Sequence, residues 1–349
     1  MRRTARTAAF PLLIALLGLV VASCGDDGAE ATAPEAAEVG AASERAGGAF
    51  PVVIEHALGT SEIAEAPERV VTWGWGSTDA AIALGVVPVA MPHQAYGGDE
   101  QGVLPWIRER LEADGTALPT ILPDTDEAPV EAIAEARPDL ILAPYSGISQ
   151  AEYDLLSEIA PTIAYPEEPW ATPWRDTIEL VGEALGRPDE AAELLDDIDA
   201  TVAAQADAHP ELAGKTVAMV WPAPDTVYVY KPADARVAFT LDLGLVSAPS
   251  VEAAEGDATA ADSFYYELSH ERIGELDSDI LVAYADTQDQ ADQFLAAPAA
   301  QQLAQVREGR VAQVVGTEFI AAVSPPTALS LTWGLEEYVQ LLASAVAAP

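Results

Sequence analysis

The chain has 349 residues, half of them hydrophobic, and a formal net charge of −41. This length and composition fit a globular protein of one large or two medium domains and are not those of a disordered chain. The large excess of acidic residues excludes a nucleic-acid-binding surface and is typical of a solvated protein surface.

The first 23 residues have the features of a bacterial lipoprotein signal peptide. The first six residues include three arginines. They are followed by an apolar run over residues 10–21 that is too short to span a membrane. Val21-Ala22-Ser23-Cys24 then has the form of a lipobox, in which the cysteine is lipidated and becomes the first residue of the mature chain. Cys24 is the only cysteine, so no internal disulfide can form. We predict a protein anchored through Cys24 at the outer face of the cytoplasmic membrane, rather than a free thiol after an ordinary signal peptide.

Residues 24–49 are rich in Ala, Glu and Gly without periodicity, which predicts a flexible tether. A first αβ lobe is predicted over 50–187. The glycine-rich turn Trp73–Ser77 follows a β-branched run and leads into a helix, which is the pattern of a parallel β-loop-α-β unit. Ligands of open α/β sheets bind at this end of the strands. Strands are predicted at 52–56, 60–63, 69–72, 86–90, 120–122, 139–143 and 162–165, and helices at 77–84, 104–114, 130–136, 151–159 and 174–185.

A single long helix is predicted over 188–209. Pro188 suits the first helical position, and Asp189 and Glu190 place negative charge where the helix dipole favours it. Apolar residues recur at three- and four-residue steps, which puts them on one face. That face is predicted to contain Ala192, Leu195, Ile198, Val202 and Ala206.

A second αβ lobe is predicted over 210–349. Glu131–Ala143 and Glu271–Ala283 share the pattern E-x-I-x-E-x-x-x-D followed by an apolar run that ends in alanine. Because the two copies lie on either side of the long helix, we expect two lobes of shared architecture with that helix as a connector. Strands are predicted at 215–220, 226–230, 279–284 and 310–315, and helices at 235–243, 270–276, 290–296, 300–308 and 327–345.

Three segments carry a resemblance to a known family. Arg69–Ala90, Val130–Ala143 and Leu180–Glu193, in this order and after a lipobox, resemble the substrate-binding lipoproteins of iron–siderophore ABC importers, in their actinobacterial form. The resemblance covers most of the chain from about residue 50. It implies an α/β fold of two Rossmann-like αβ lobes joined by a single long helix, with a ligand cleft between the lobes. It also implies capture of a ferric siderophore, modest closure, docking on an import permease and release.

The resemblance further implies that one glutamate on each lobe docks on the permease. The matching positions are Glu131 and Glu271, the first residues of the repeated motif. Exposed carboxylates at helix N-termini can pair bidentately with arginine. The alternative is that both are ordinary first-turn acids favoured by the helix dipole.

Aromatic residues recur in loops and at strand ends, and together they predict a broad amphipathic surface for a bulky ligand. Any one of them, taken alone, is more often a packing residue than a ligand contact. Basic residues are scarce, so Arg175, Lys231 and Arg236 are candidates to hold oxygens of an iron chelate, with surface salt bridges as the alternative. The predicted aromatic ligand contacts are Trp73, Trp75, Tyr96, Tyr145, Trp170, Trp174, Trp221, Tyr228, Tyr265 and Trp333.

We expect a ferric hydroxamate or mixed siderophore of low net charge, because a triply anionic catecholate complex would need a denser cationic pocket. No cofactor and no direct metal site are expected, since the four histidines lack ligand spacing. Tyr265-Tyr266 beside a carboxylate is a minor option for bare ferric iron. The protein is predicted to be a monomer and not an enzyme. The alternatives are a haem-binding or other metal-chelate-binding protein of the same fold, a lipid-anchored α/β hydrolase, and an adhesion lipoprotein.

Overall fold

The computed structural model of the protein describes residues 50–255 and 264–348. The predicted signal segment, Cys24 and the predicted tether lie outside the described residues. The described strands are β1 (Val52–His56), β2 (Gly59–Ile63), β3 (Val70–Thr72), β4 (Ala90–Met91), β5 (Thr120–Ile121), β6 (Leu140–Leu142), β7 (Thr162–Ile163), β8 (Thr216–Pro222), β9 (Thr226–Tyr230), β10 (Val246–Ser247), β11 (Tyr265–Ser269), β12 (Ile280–Ala285) and β13 (Val311–Val315).

The described α-helices are α1 (Ser77–Ala83), α2 (Pro105–Ala113), α3 (Val130–Ala136), α4 (Gln150–Ser157), α5 (Trp174–Ala184), α6 (Pro188–Ala208), α7 (Ala235–Asp242), α8 (Pro249–Glu255), α9 (Gln288–Ala296), α10 (Ala304–Arg307), α11 (Thr317–Val323) and α12 (Ser330–Ala347). Short 3₁₀ helices lie at Pro210–Leu212, Ile273–Glu275 and Ala300–Gln302. Each helix of the described ranges is too short or too polar to span a bilayer.

The first half of the chain forms a five-stranded parallel sheet in the order β5-β4-β3-β6-β7. Its central strands are continuous apolar runs, as parallel strands covered on both faces must be. Leu140, Ile141 and Leu142 of β6 have no exposed surface. The hairpin of β1 and β2 is a separate two-stranded sheet. This half therefore has the parallel α/β architecture that the sequence predicts.

The second half forms a sheet in the order β11-β9-β8-β12-β13, with β10 beside the start of β8. β8, β10, β12 and β13 are parallel, whereas β9 is antiparallel to β8 and β11 is antiparallel to β9. The two halves are thus mixed α/β lobes with mostly parallel sheets, and the predicted fold class is confirmed. The β1–β2 hairpin and the edge formed by β9 and β11 are antiparallel.

The repeated motif has the same structural role in both lobes. The Asp139 carboxylate accepts hydrogen bonds from the backbone N–H groups of Glu68 and Arg69 at 2.9 and 2.8 Å, just before β3. The Asp279 carboxylate accepts one from the Thr216 N–H at 2.8 Å, at the start of β8. In each lobe the aspartate therefore ties the start of the strand that follows it to the start of the neighbouring central strand.

The long helix α6 lies between the two sheets along the chain and buries one face. Leu195, Ile198 and Val202 on that face are buried, as predicted. At the N-terminal end, Ala191 is buried in place of the predicted Ala192, because α6 turns this side toward α5. The same buried cluster contains residues of both sheets, so α6 connects the lobes and also contributes to their shared core.

Some predicted elements differ from the structure. The strand predicted at 86–90 is only Ala90–Met91, and the helix predicted at 270–276 is a turn followed by a 3₁₀ helix at Ile273–Glu275. In the connection between β11 and β12, the backbone N–H groups of Arg272, Glu275 and Leu276 each donate to the carbonyl three residues earlier, which is the pattern of turns and 3₁₀ helices. β10, β11, α8 and α11 were not predicted, because short edge elements carry little periodic signal.

Candidate functional site

Two loops at the carboxyl ends of neighbouring strands form the first wall of a cleft. The loop after β3 contains Trp75, whose backbone N–H donates to the Tyr145 carbonyl oxygen in the loop after β6 at 2.9 Å. Between these loops the backbones approach closely at Gly74. It has φ +85°, and a Cβ there would lie 2.3 Å from the Tyr145 oxygen, so only glycine fits. The Trp75 and Tyr145 side chains are thereby placed beside each other.

Trp170 extends this wall. Its backbone N–H donates to the Ser146 carbonyl at 3.1 Å, and its ring packs edge-to-face on Tyr145 with centroids 5.9 Å apart. A Cβ on Gly147 would lie 2.2 Å from the Trp170 indole nitrogen. Trp170 also has φ +58°, which is costly for an aromatic residue. This large side chain is therefore fixed in position although 56% of its surface is exposed.

The segment between α11 and α12 forms a second wall and is anchored on the first lobe. The Trp75 indole N–H donates to the Pro325 carbonyl at 3.3 Å. Below it, the buried Asp79 carboxylate of α1 accepts hydrogen bonds from the Trp106 indole at 2.5 Å and from the Thr327 hydroxyl. Burial raises the pKa of Asp79 to about 6, against the lowering effect of these hydrogen bonds. The segment is thus held by a buried polar cluster.

The third wall belongs to the second lobe and is organised around Arg236 in the first turn of α7. Its Nε donates to the Asp234 carboxylate at 2.7 Å, and the same carboxylate caps α7 by accepting the Arg236 backbone N–H at 2.9 Å. The guanidinium lies over the Tyr230 ring at 3.8 Å. Both the cap and the ring fix its orientation.

Burial acts to lower the pKa of Arg236, but the charge of Asp234 and the nearby tyrosines outweigh it, so the net pKa is raised. Arg236 is therefore always charged. Its side chain is largely buried, and an ion pair of this kind is costly unless further groups satisfy the remaining donors. An oxygen-rich ligand would supply such groups.

Two cavities meet at Arg236. The phenolic compartment is a cavity of about 410 Å³, and the tryptophan compartment is a cavity of about 480 Å³; both sizes are within the range of small-molecule sites. The phenolic compartment is lined by Tyr96, Trp221, Tyr228, Tyr230, Arg236, Ile320 and Ser324. The tryptophan compartment is lined chiefly by Trp75, Tyr145, Trp170, Trp174, Arg236, Phe264, Pro325 and Pro326. Together they form a cleft with walls from both lobes.

Besides the contacts of Trp75 and Asp79 with the segment before α12, polar contacts between the lobes adjoin each of the two compartments. The Tyr96 hydroxyl of the first lobe donates to the Asp286 carboxylate after β12 at 3.0 Å. Arg175 of α5 pairs with Asp199 of α6 at 2.6 Å and with Asp242 of α7 at 3.0 Å. The first contact adjoins the phenolic compartment and the second borders the tryptophan compartment.

Within the described ranges no group of three or more His, Cys, Asp or Glu side chains could hold a metal ion. Tyr265 and Tyr266 alternate along β11 and pack on different clusters, Tyr265 near the Tyr230 side and Tyr266 against the opposite core. They therefore do not converge on one point. The cleft is suited to bind an organic ligand by aromatic contact and through a fixed guanidinium.

Comparison with known proteins identifies the family of this chain. A family model described as periplasmic binding protein matches residues 70–314. The chain belongs to the periplasmic binding protein family. Among solved structures, it resembles Streptococcus pneumoniae TIGR4 PiaA in complex with ferrichrome, at 35% identity and a TM-score of 0.75 over 84% of this chain and 98% of that one.

A second solved relative is a periplasmic solute binding protein from Mycobacterium smegmatis, 29% identical with a TM-score of 0.70 over 84% of this chain and 98% of that one. A curated relative is the "Probable siderophore-binding lipoprotein YfiY" of Bacillus subtilis, 30% identical over 168 residues. That match spans 48% of each chain, so this chain covers about half the length of the curated relative.

The structure brings many residues of the predicted ligand set to the cleft of this binding protein. Arg236 lines both compartments. Arg175 borders the tryptophan compartment, but its guanidinium is engaged with Asp199 and Asp242, as the salt-bridge alternative expects. Trp75, Tyr145, Trp170 and Trp174 line the tryptophan compartment, and Tyr96, Trp221 and Tyr228 line the phenolic compartment.

Four predicted residues line neither compartment. Trp73 packs on the core of the first lobe, and Lys231 is buried with 3% exposure. Tyr265 packs edge-to-face on Tyr228, with ring centroids 5.2 Å apart. Trp333 packs on Trp106 and donates to Glu109 at 3.2 Å, because its helix α12 lies against α2. For these four side chains, contact with the ligand stays a prediction.

Sequence reasoning left out several cleft residues. Tyr230 lies two residues after Tyr228 on the same face of β9, so the period of a strand would have identified it. Phe264 and the segment Ser324–Thr327 carry no local signal, because only the packing of distant elements brings them to the cleft. Asp234, another cleft residue that was not predicted, is the N-cap of α7.

The two predicted docking glutamates are both exposed. Glu131 lies in the first turn of α3, as expected. Glu271 does not begin an α-helix and lies in the turn before the 3₁₀ helix, so no helix dipole acts on it. The expectation of two equivalent helix N-termini is therefore wrong for the second lobe, although the two motifs occupy equivalent places in the fold.

Proposed function

We propose that this protein captures a ferric siderophore in the cleft around Arg236 and delivers it to an ABC import permease. The observation that carries the proposal is a guanidinium fixed by Asp234 and Tyr230 at the junction of two aromatic compartments. Ferric chelates present ligand oxygens on their surface, and a preoriented guanidinium can donate to them. The relatives named for siderophore binding and for a ferrichrome complex support the same function.

The ligand is a chelate of low net charge, such as a ferric hydroxamate. Among the described residues that line the cleft, the cations are Arg236, which Asp234 already neutralises in part, and Arg175, which is paired with two carboxylates. A triply anionic catecholate complex would bring charge that these groups cannot balance. The protein performs no chemistry on the ligand and takes no resident cofactor.

The remaining parts of the proposal concern delivery. A lipid on Cys24 holds the protein at the outer face of the cytoplasmic membrane, and the protein acts as a monomer. Glu131 and Glu271, exposed at equivalent places in the two lobes, pair with arginines of the permease. The family relationship and the curated lipoprotein relative support this arrangement.

The test is a titration of the purified protein with ferric hydroxamate, mixed-ligand and catecholate siderophores, followed by tryptophan fluorescence. Trp75, Trp170, Trp174 and Trp221 line the cleft and report on an iron chelate by quenching. Replacing the pair by Asp234→Asn with Arg236→Gln removes the charged donor without leaving a buried carboxylate alone. We expect this double variant to bind the hydroxamate roughly tenfold to a hundredfold more weakly, because hydrogen bonds from a charged donor to the chelate are lost.

The matched control is Asp114→Asn with Arg110→Gln, which removes an exposed ion pair of α2 far from the cleft residues. It should bind as the wild type does. Unchanged fluorescence with every siderophore, or equal affinities of the Arg236 variant and the wild type, would contradict the proposed function.

A further inference from the structure

We propose that the ligand is an amphipathic iron chelate, whose apolar acyl chain occupies the tryptophan compartment while its chelate group lies at Arg236. This inference rests on the proposed siderophore function and specifies the class of siderophore. It follows from the division of the cleft into two compartments of different chemistry.

The walls of the tryptophan compartment are apolar side chains from three separate parts of the chain. Trp170 and Trp174 come from the first lobe, Phe264 from the second, and Pro325 and Pro326 from the segment before α12. None of these side chains carries a charge that could bind a chelate oxygen. A compartment built in this way gains most from an apolar occupant.

The cations of the same wall are already paired within the protein. Arg175 pairs with Asp199 and Asp242, and Asp234 pairs with Arg236. The remaining carboxylate, Asp176, is exposed to solvent. Because an anionic group of the ligand would find no unpaired cation among these described groups, the occupant of this compartment carries no negative charge.

The exposure of two aromatic rings points to the same conclusion. Trp170 and Phe264 are 56% and 51% exposed, and they face one compartment from opposite lobes. Neither residue is loosely held: Trp170 packs on Tyr145, and the Phe264 carbonyl accepts the Lys231 backbone N–H at 2.9 Å. Large apolar side chains that remain exposed and fixed mark a binding surface.

A single ligand can reach both compartments because Arg236 lines each of them. A chelate that accepts hydrogen bonds from Arg236 in the phenolic compartment has the opening of the tryptophan compartment directly beside it. The second cavity, of about 480 Å³, is slightly larger than the first and is open to a substituent on the chelate. Because the two cavities meet at Arg236, we infer that the apolar occupant is a chain of the same ligand and not a second molecule.

The test uses one linear trihydroxamate iron chelate with a terminal amine that is acylated with chains of two, four, six and eight carbon atoms. Affinities for the wild-type protein are measured by fluorescence titration. Each methylene that enters the compartment should tighten binding roughly threefold to fourfold. Equal affinities along the series, within about a factor of two, would overturn the inference but leave the proposed function standing. Binding of none of the chelates would overturn both.

A substitution in the tryptophan compartment tests whether the acyl chain binds there. Ala238→Phe places a large ring into the tryptophan compartment from an exposed position of α7. It should reduce the affinity ratio between the longest and the shortest chain to below about threefold. Ala203→Phe, at an exposed position of α6 outside both compartments, is the matched control and should keep the wild-type ratio. A ratio that Ala238→Phe leaves unchanged would place the chain elsewhere and overturn the inference.

Discussion

Asp79 shows at the scale of one residue how this fold uses a buried charge. Its carboxylate is 1% exposed and accepts hydrogen bonds from Trp106 of α2 and Thr327 before α12. It thereby links the first lobe to the segment that forms the second wall of the cleft. The cost of this link is visible in its pKa, which burial raises to about 6.

This raised pKa predicts a pH dependence of stability. Between about pH 6 and pH 4 the folded protein binds a proton at Asp79 that the unfolded chain, with its ordinary pKa near 3.8, does not bind. Folding is therefore favoured by acid at this site, and the contribution of Asp79 to stability rises as the pH falls through this window. Relative to the isosteric neutral variant Asp79→Asn, the wild type should gain about 2 kcal/mol between pH 7 and pH 4.

Urea denaturation of the wild type and of Asp79→Asn at several pH values measures this difference. Comparing the two proteins at each pH cancels the titration of the other acidic groups. A difference in unfolding free energy that stays constant from pH 7 to pH 4 would show that Asp79 has an ordinary pKa in the folded state.

At the scale of elements, the corner between α5 and α6 depends on one close approach. Gly182 of α5 faces Ala191 of α6, and a Cβ added at Gly182 would lie 2.4 Å from the Ala191 Cβ and 3.1 Å from the Arg187 carbonyl oxygen. Farther along the same two helices, Arg175 of α5 pairs with Asp199 of α6. The start of the connecting helix is thus set by packing against the helix before it.

We expect Gly182→Ala to lower the free energy of unfolding by about 1–3 kcal/mol, because the added methyl group must force α5 and α6 apart. Gly274→Ala is the matched control, since both glycines have ordinary φ values and a Cβ at Gly274 would meet its nearest atoms only at 3.9 Å. The control should be neutral or slightly stabilising. Denaturation midpoints in urea distinguish the two, and equal midpoints would show that the corner adjusts without strain.

At the scale of the whole molecule, the two lobes are joined by α6, by a shared core and by polar contacts on the two sides of the cleft. Tyr96 donates to Asp286 on one side, and Arg175 reaches Asp199 and Asp242 on the other. A helix that is itself part of the core bends less readily than exposed hinge strands. Motion of the lobes in this protein is therefore expected to be a modest rotation.

The proposed delivery of the ligand to a permease requires contacts at the surface of the whole protein, and this gives a prediction in cells. Glu131→Lys combined with Glu271→Lys should abolish uptake of radioactive iron as the siderophore complex, because lysines cannot pair with arginines of the permease. The affinity of the purified variant for the siderophore should stay within about twofold of the wild type, since both residues lie outside the cleft.

Glu193→Lys, an exposed charge reversal on α6, is the control for a general effect of charge and should support normal uptake. Normal uptake by the double variant would refute docking through these glutamates. Loss of siderophore affinity in the double variant would instead show that the glutamates act on the ligand site.

The sequence by itself determined those features that arise from local periodicity and from repetition. The long helix needs only Pro188, its acidic first turn and a spaced apolar face, and the structure places it at Pro188–Ala208. The shared motif predicted equivalent halves, and Asp139 and Asp279 have equivalent bonds. Loop aromatics after parallel strands were also predictable, because those strand ends meet at one edge of a sheet.

Only the tertiary structure decided which side chains share the cleft. Trp333 and Tyr265 have the same residue chemistry as Trp170 and Tyr228. However, Trp333 of α12 packs on Trp106 of α2, and Tyr265 of β11 packs on Tyr228 of the neighbouring strand β9. Likewise, Arg236 lines both cavities whereas Lys231 is buried, although the two residues are only five positions apart in the sequence. The periodicity of apolar residues shows which face of a single helix or strand is buried. The cleft, however, is formed by two sheets and a segment near the C-terminus. Its composition therefore depends on packing between residues far apart in the chain.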